Sequence, residues 1–205
     1  DPDVLPHEEK MLTLGSYGRL SFFQFKGVIE ALCRELNIKD VQFAPEKNNP
    51  SYHPGRCANV LIGGAPAGVF GTIHPTVAGR YGLPGEVLAA ELRMNALFAA
   101  IDPAKLYHPL PKFPSSTRDI AVLVDDAVPA ASMQAAIEQA AGAILESVKL
   151  FDVYKGKGIP EGKKSVAYSL SMRAPDRTLT DEECDKAMKN ALAALEKSFG
   201  AALRS

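Results

Sequence analysis

Residues 150–154, LFDVY, and the loop after them, KGKGIPEGKK, bring a carboxylate, a phenol and four lysines close together in sequence. Read as a strand, the stretch puts Asp152 and Tyr154 on one side, because alternate side chains share a face. A carboxylate turned into a core without a partner costs on the order of several kcal/mol. The side that carries Asp152 and Tyr154 is therefore expected to face water, beside the cationic loop. An exposed ring, a carboxylate and flanking ammonium groups form a set suited to unpaired RNA. The ring stacks on a base, the carboxylate accepts from base amino or imino groups, and the lysines meet phosphates. From Lys149 to Arg173 the chain holds six basic residues (Lys149, Lys155, Lys157, Lys163, Lys164 and Arg173) against Asp152 and Glu161.

The elements around this stretch decide whether such a face exists. RDIAVLVDD alternates as a strand, and PAASMQAAIEQAAGAIL reads as an alanine-rich helix with Met133, Ile137, Ala140 and Ile144 along one side. The strand SVKLFDVY, the lysine loop and the strand SVAYSLSMRA follow. Thr180 and Glu183 then form a capping-box signature, opening a helix that carries Cys184, Met188, Ala191, Leu192, Leu195 and Phe199 at spacings of three and four. AALR closes the pattern as an edge strand. The order βαββαβ predicts a ferredoxin-like sandwich, with a four-stranded antiparallel sheet and both helices on one face. In SVAYSLSMR, Val166, Tyr168, Leu170 and Met172 point to the helices, while Ser165, Ala167, Ser169, Ser171 and Arg173 line the open side. Phe151 and Val153 match the core set. The same alternation also arises in any antiparallel sheet with one solvated face, so pattern alone leaves a plain solvated surface open beside RNA binding.

Upstream, YHPLPKFPSSTRD holds three prolines and no periodic apolar signal, and marks a boundary near residue 110. Before it, FFQFKGVIEALCRELNI reads as an amphipathic helix through Phe22, Phe25, Val28, Ile29, Leu32, Cys33 and Leu36. Two apolar strands flank Gly63–Gly64, a short helix follows Pro75, a strand lies in EVLAAELRM and a last helical turn in NALFAA. This predicts a second α+β layer with an antiparallel sheet. At 205 residues and 46% hydrophobic content the chain suits two modest domains. The charge is balanced on both sides of the boundary, 10 basic against 11 acidic in residues 1–110 and 13 of each in 111–205, so bulk charge does not argue for nucleic acid and only the local run does.

FPSSTRDIAVLV, KLFDVYKGKGIPEGKKSVAYSLSM, RTLTDEE and GAALR together resemble the ferredoxin-fold anticodon-binding domain of phenylalanyl-tRNA synthetases. FFQFKGVIEALC, HPGRCANVLIGG and GTIHPTVAGRYGL resemble the preceding, synthetase-like but non-catalytic module of the bacterial β subunit. The resemblance implies a ligase of two α and two β subunits that joins phenylalanine to tRNA(Phe), using ATP and Mg2+ at an active site in α. It implies residues 1–110 as part of the class II synthetase-like module and 111–205 as the anticodon-binding domain. It also implies an RNA-binding role for Asp152, Tyr154 and Ser165, joined by Arg204; the cationic chemistry of the loop and strand edge adds Lys155, Lys163, Lys164 and Arg173 as RNA-binding candidates. Arg118 is family-typical, its role open between RNA contact and an ion pair with Asp119 or another acid. No catalytic residue, cofactor or metal is expected in this chain.

Other constellations carry less. His53, Arg56 and Cys57 have no third ligand at a recognisable spacing, and paired spacings are what zinc sites show. His74 before Pro75 reads as a turn residue. The glycines of GGAPAGVFG fall in a hairpin, not between a strand and a helix as a dinucleotide fingerprint requires. Cys33, Cys57 and Cys184 are expected as core thiols. No apolar run approaches the roughly 20 residues of a membrane helix, and the acidic start DPDVLPHEEK has no signal-peptide features, so a cytoplasmic location is expected. A start at Asp1 rather than methionine suggests either a piece of a longer polypeptide or a processed chain. Ferredoxin-like domains also serve as acyl phosphatases and as regulatory or small-molecule-binding modules, so the fold leaves a second class of function to be weighed.

Overall fold

The computed structural model describes residues 8–104, 107 and 109–204; most of the acidic opening segment lies outside these. The chain divides into two compact units, Asp1–Tyr107 and His108–Ser205.

Unit 1 is built on β1 (Met11–Tyr17), α1 (Phe22–Glu35), β2 (Val41–Pro45), β3 (Tyr52–Ile62), β4 (Ala65–Ile73), α2 (Pro75–Arg80), β5 (Val87–Arg93) and α3 (Met94–Ala100). The strands form one antiparallel sheet in the order β1-β5-β4-β3-β2. α1 starts where the sequence says it should: Ser21 and Gln24 form a reciprocal capping box, each satisfying a backbone amide of the other. Its buried face is Phe25, Ile29 and Cys33, packed with Leu97 of α3 on Val60, Phe70, Leu88, Ala90 and Leu92 of the sheet. Val28, expected on that face, is 42% exposed. Gly63 and Gly64 both take positive φ and close the hairpin between β3 and β4, the use expected for them. The sequence reading lacked β1 and β2. β1 does alternate, with Leu12 and Leu14 against the core, while β2 has five residues and ends on Pro45, too short to register beside the helix before it.

Unit 2 follows the expected order: β6 (Ser116–Asp125), α4 (Ala130–Ala141), β7 (Leu145–Tyr154), β8 (Lys163–Met172), α5 (Asp181–Phe199) and β9 (Ala202–Leu203). The antiparallel sheet runs β7-β8-β6-β9, the ferredoxin-like arrangement. α4 and α5 cover one face, where Ile120, Val122 and Val124 meet Met133, Ile137, Ala191 and Leu195 together with Val166, Tyr168 and Leu170. The buried Tyr168 hydroxyl donates to the Ala130 carbonyl at 2.8 Å, so its polar tip is satisfied. Thr180 and Glu183 cap α5 reciprocally and Gly200 ends it in the left-handed conformation. Gly142 stops α4, so Ile144 packs from the strand approach and Ala141, not Ala140, is buried.

β7 departs from the expectation. Phe151 is 53% and Val153 47% exposed, so neither is a core residue. β7 is the outer strand, and its register slips twice, between Leu145 and Ser147 and between Leu150 and Asp152. Leu150 pairs with Tyr168 and Asp152 with Ala167, leaving Phe151 as the extra residue of a bulge. One consequence of the slip matters for function. Asp152 and Tyr154 stand opposite Ala167 and Ser165, on the face without helices.

Candidate nucleic-acid interface

The open face of unit 2 takes its residues from three strands and from Arg204 beyond the fourth. β7 supplies Asp152 and Tyr154, β8 supplies Lys163, Ser165, Ala167, Ser169 and Ser171, and β6 supplies Leu123 and Asp125, each placed by its register against a neighbour on the same side. Arg204, just past β9, donates its backbone amide to the Ala121 carbonyl at 2.9 Å. Its guanidinium reaches across β6 to β8. There Nη1 donates to Ser165 Oγ at 3.1 Å, and the guanidinium carbon lies 5.6 Å from the centre of the Tyr154 ring. That is within cation–π distance. Ser165 is only 3% exposed, so it is no free hydroxyl on an open surface. It is a small residue on a central strand, overlaid by longer neighbours, and it holds Arg204 in place.

The Tyr154 ring is 38% exposed. Its hydroxyl donates to the Lys157 carbonyl at 3.3 Å, which folds the lysine loop back against the strand. Gly156 makes this approach possible: its φ is +148°, and a Cβ there would lie 3.1 Å from the Tyr154 hydroxyl. Two acids at the end of β6 and in the turn after it, Asp125 and Asp126, hold the loop from the other side. Lys163 Nζ sits 3.0 Å from Asp125 Oδ1, Lys155 pairs with Asp126, and Lys164 Nζ donates to the Asp126 carbonyl at 2.9 Å. The Lys155 hydrogen bond is the largest influence holding the Asp126 carboxyl below its ordinary value. Burial pulls the Lys164 ammonium down, against the opposing pull of Asp126.

The structure thus gathers Asp152, Tyr154, Ser165, Arg204 and Lys163 on one face, with Lys155 at its loop end. Three other residues expected at the site stand elsewhere. Arg118 pairs with Leu170 across the sheet and so belongs to the helix side; it donates to Asp181 at the start of α5 at 2.6 Å. The acid it pairs with is thus Asp181 rather than Asp119. Arg173 forks onto Glu146, with Nε to Oε1 at 2.9 Å and Nη2 to Oε2 at 3.2 Å, and also donates to the Phe113 carbonyl. It lies eight residues, roughly 26 Å of strand, from Ser165. Lys164 alternates to the helix side with Val124 and Val166. Alternation already separates Lys164 from Ser165 in the sequence; a shared stretch of basic residues had masked it.

In unit 1 the other constellation disperses. His53 Nδ1 accepts from the Gly55 amide at 3.0 Å, Arg56 donates to Glu86 at 3.0 Å, and Cys57 is buried, its thiol pushed up to about 11 chiefly by burial. His74 caps α2, accepting from the Thr76 amide. Among the described residues no cluster of three or more histidine, cysteine or acidic side chains could hold a metal ion, and no helix is long and apolar enough to cross a membrane.

Two family models match. Residues 111–204 match the ferredoxin-fold anticodon binding domain, and residues 1–94 match the phenylalanyl tRNA synthetase beta chain CLM domain. Similar proteins include the phenylalanine–tRNA ligase beta subunits of Clostridium tetani (45% identical over 204 residues, 100% of this chain and 26% of the relative), Symbiobacterium thermophilum (44% over 215 residues, 99% and 24%) and Bacillus subtilis (40% over 195 residues, 95% and 24%). The chain belongs to the phenylalanine–tRNA ligase beta subunit family. It spans about a quarter of the length of these relatives. Family membership gives the face that carries Tyr154 its context: unit 2 is the anticodon-binding fold, and the ring, hydroxyl, carboxylate and guanidinium gather on the side its two helices leave bare.

Proposed function

We propose that the open sheet face of unit 2 reads the unpaired anticodon bases of tRNA(Phe), within the β subunit of a ligase that joins phenylalanine to that tRNA. In this reading residues 1–110 belong to the non-catalytic synthetase-like module and 111–205 to the anticodon-binding domain. The remainder of β and the partner α subunit complete an α2β2 assembly in the cytoplasm, with ATP and Mg2+ used at an active site in α. The observation that carries the reading is the gathering of Asp152, Tyr154, Ser165 and Arg204 on the bare face of an anticodon-binding fold.

Each residue has a task. Tyr154 offers a ring to a base. Asp152 accepts from base amino and imino groups, and it repels phosphate. Arg204, held by Ser165 and lying over the ring, brings a cation to the same place, and Lys155 and Lys163 meet the backbone. A small-molecule role for unit 2 finds less support. The cavity between α4 and α5, lined by Ala141, Ile144, Glu183 and Ala187 among others, is about 250 Å³, under the ~300 Å³ usual for ligand pockets, and lies on the helix side.

The test is aminoacylation and tRNA binding by the assembled ligase with Tyr154→Ala and Asp152→Ala, using tRNAs with native and altered anticodons. Tyr154→Ala is expected to cost about 1–3 kcal/mol of binding with little change in melting temperature, and Asp152→Ala to relax discrimination among anticodons. A large drop in melting temperature with discrimination untouched would assign Tyr154 to the core and overturn the reading.

A further inference from the structure

Phe151 is the one large aromatic of β7 whose place neither the alternation nor the core accounts for. The register slip between Leu150 and Asp152 leaves it without a partner on β8, and it is 53% exposed on the outer strand. Bulges at sheet edges commonly re-aim a side chain next to a functional site, and here the next residues along the strand are Asp152 and Tyr154. Resting on the anticodon reading above, we propose that Phe151 is a second stacking ring for single-stranded RNA. It takes the base that neighbours the one on Tyr154, so that the RNA path runs over the outer edge of the sheet.

Three observations support an RNA base over a protein side chain as the occupant. Lys149, Lys155 and Lys157, all exposed, flank Phe151 on both sides in sequence, whereas the buried centre of a protein–protein interface is depleted in lysine. Phe151 also directly precedes Asp152, the first residue that β7 gives to the open face. Finally, Phe151 and Tyr154 are three residues apart, roughly 10 Å along a strand. That is about three times the ~3.4 Å spacing of bases stacked in a duplex, so the two rings suit bases that are splayed apart, the form in which single-stranded RNA is read.

The experiment uses the assembled ligase with Phe151→Ala, Phe151→Leu and Phe151→Tyr beside Tyr154→Ala. It measures affinity for a tRNA(Phe) transcript at two salt concentrations, elution volume and melting temperature. The expected result is a loss of about 5- to 100-fold in affinity for Phe151→Ala and a comparable loss for Phe151→Leu. Phe151→Tyr keeps the wild-type affinity, because it keeps the ring. The salt dependence stays as in the wild type, since stacking releases no counterions. Wild-type affinity in Phe151→Leu would overturn the proposal, because an apolar contact would then suffice. So would a change of elution volume in Phe151→Ala, which would assign the ring to a protein contact. If Tyr154→Ala weakens binding and Phe151→Ala does not, the second ring fails while the anticodon reading stands; if neither weakens it, the anticodon reading itself fails.

Discussion

Arg204 holds two relations at once, a hydrogen bond to Ser165 and a seat over the Tyr154 ring. At 5.6 Å from the ring centre its guanidinium occupies that side of the ring, so a base stacking there must displace it or share it. Arg204→Ala is expected to weaken tRNA binding, and Arg204→Lys to recover only part of the loss, because an ammonium lacks the flat fork that stacks and hydrogen-bonds together; titrations with one tRNA across the three proteins check this. Arg118 and Arg173 should behave in the opposite way. Each is tied to an acid, Asp181 and Glu146 respectively, so alanine at either lowers the melting temperature and leaves anticodon discrimination alone. The thiols give a simpler check. Cys33, Cys57 and Cys184 are all buried, and burial raises the pKa of the first two. In the folded chain a thiol reagent at neutral pH should react slowly, and in denaturant it should find all three at once.

The lysine loop is an element held by its ends. Tyr154 anchors it through the Lys157 carbonyl and Asp126 through Lys155. Asp126 has a depressed folded pKa, so its contribution is present above the ordinary aspartate value of 3.8 and is lost as the pH falls below that value. Acid should therefore loosen the loop, seen as lower amide protection at Gly156–Gly162 once the intrinsic pH dependence of exchange is divided out, and Asp126→Asn should show the same loosening at neutral pH. Gly156→Ala should strain it too, since the added Cβ meets the Tyr154 hydroxyl at a φ that alanine rarely adopts. At this scale the sequence was informative where one strong local rule acts. The Thr180–Glu183 capping box, the alternation of β8 and the Gly63–Gly64 turn all emerged as read, because caps, periods and turns are short-range. β7 did not, because a bulge is set by how a strand fits its neighbour and leaves no mark in the strand's own residues. The same limit separated Arg118, Lys164 and Arg173 from the site: their chemistry was visible, but their faces and partners depend on pairing across the sheet. Asp152 and Tyr154 were placed correctly because counting from the loop end starts on the right side of the slip.

For the whole molecule, the reading divides labour between this chain and a catalytic partner. The purified chain alone is expected to give no phenylalanine-dependent pyrophosphate exchange above background, and activity should require the α subunit; sustained turnover by the chain alone would refute that division. Its sheets have a further consequence at this scale, for how the protein keeps to itself in concentrated solution. An outer strand exposes a row of free amides and carbonyls on which another chain can add a strand. In unit 2 both outer strands are poor templates: β7 is out of register at two points, and β9 has two residues. In unit 1, β2 is short and ends on proline. β1 has none of these protections: its seven residues, MLTLGSY, pair with β5 in unbroken register and contain neither proline nor charge. Self-association of this chain under stress should therefore begin along β1, and Thr13→Lys, which places an ammonium at an exposed position of that strand, should delay it in a light-scattering time course.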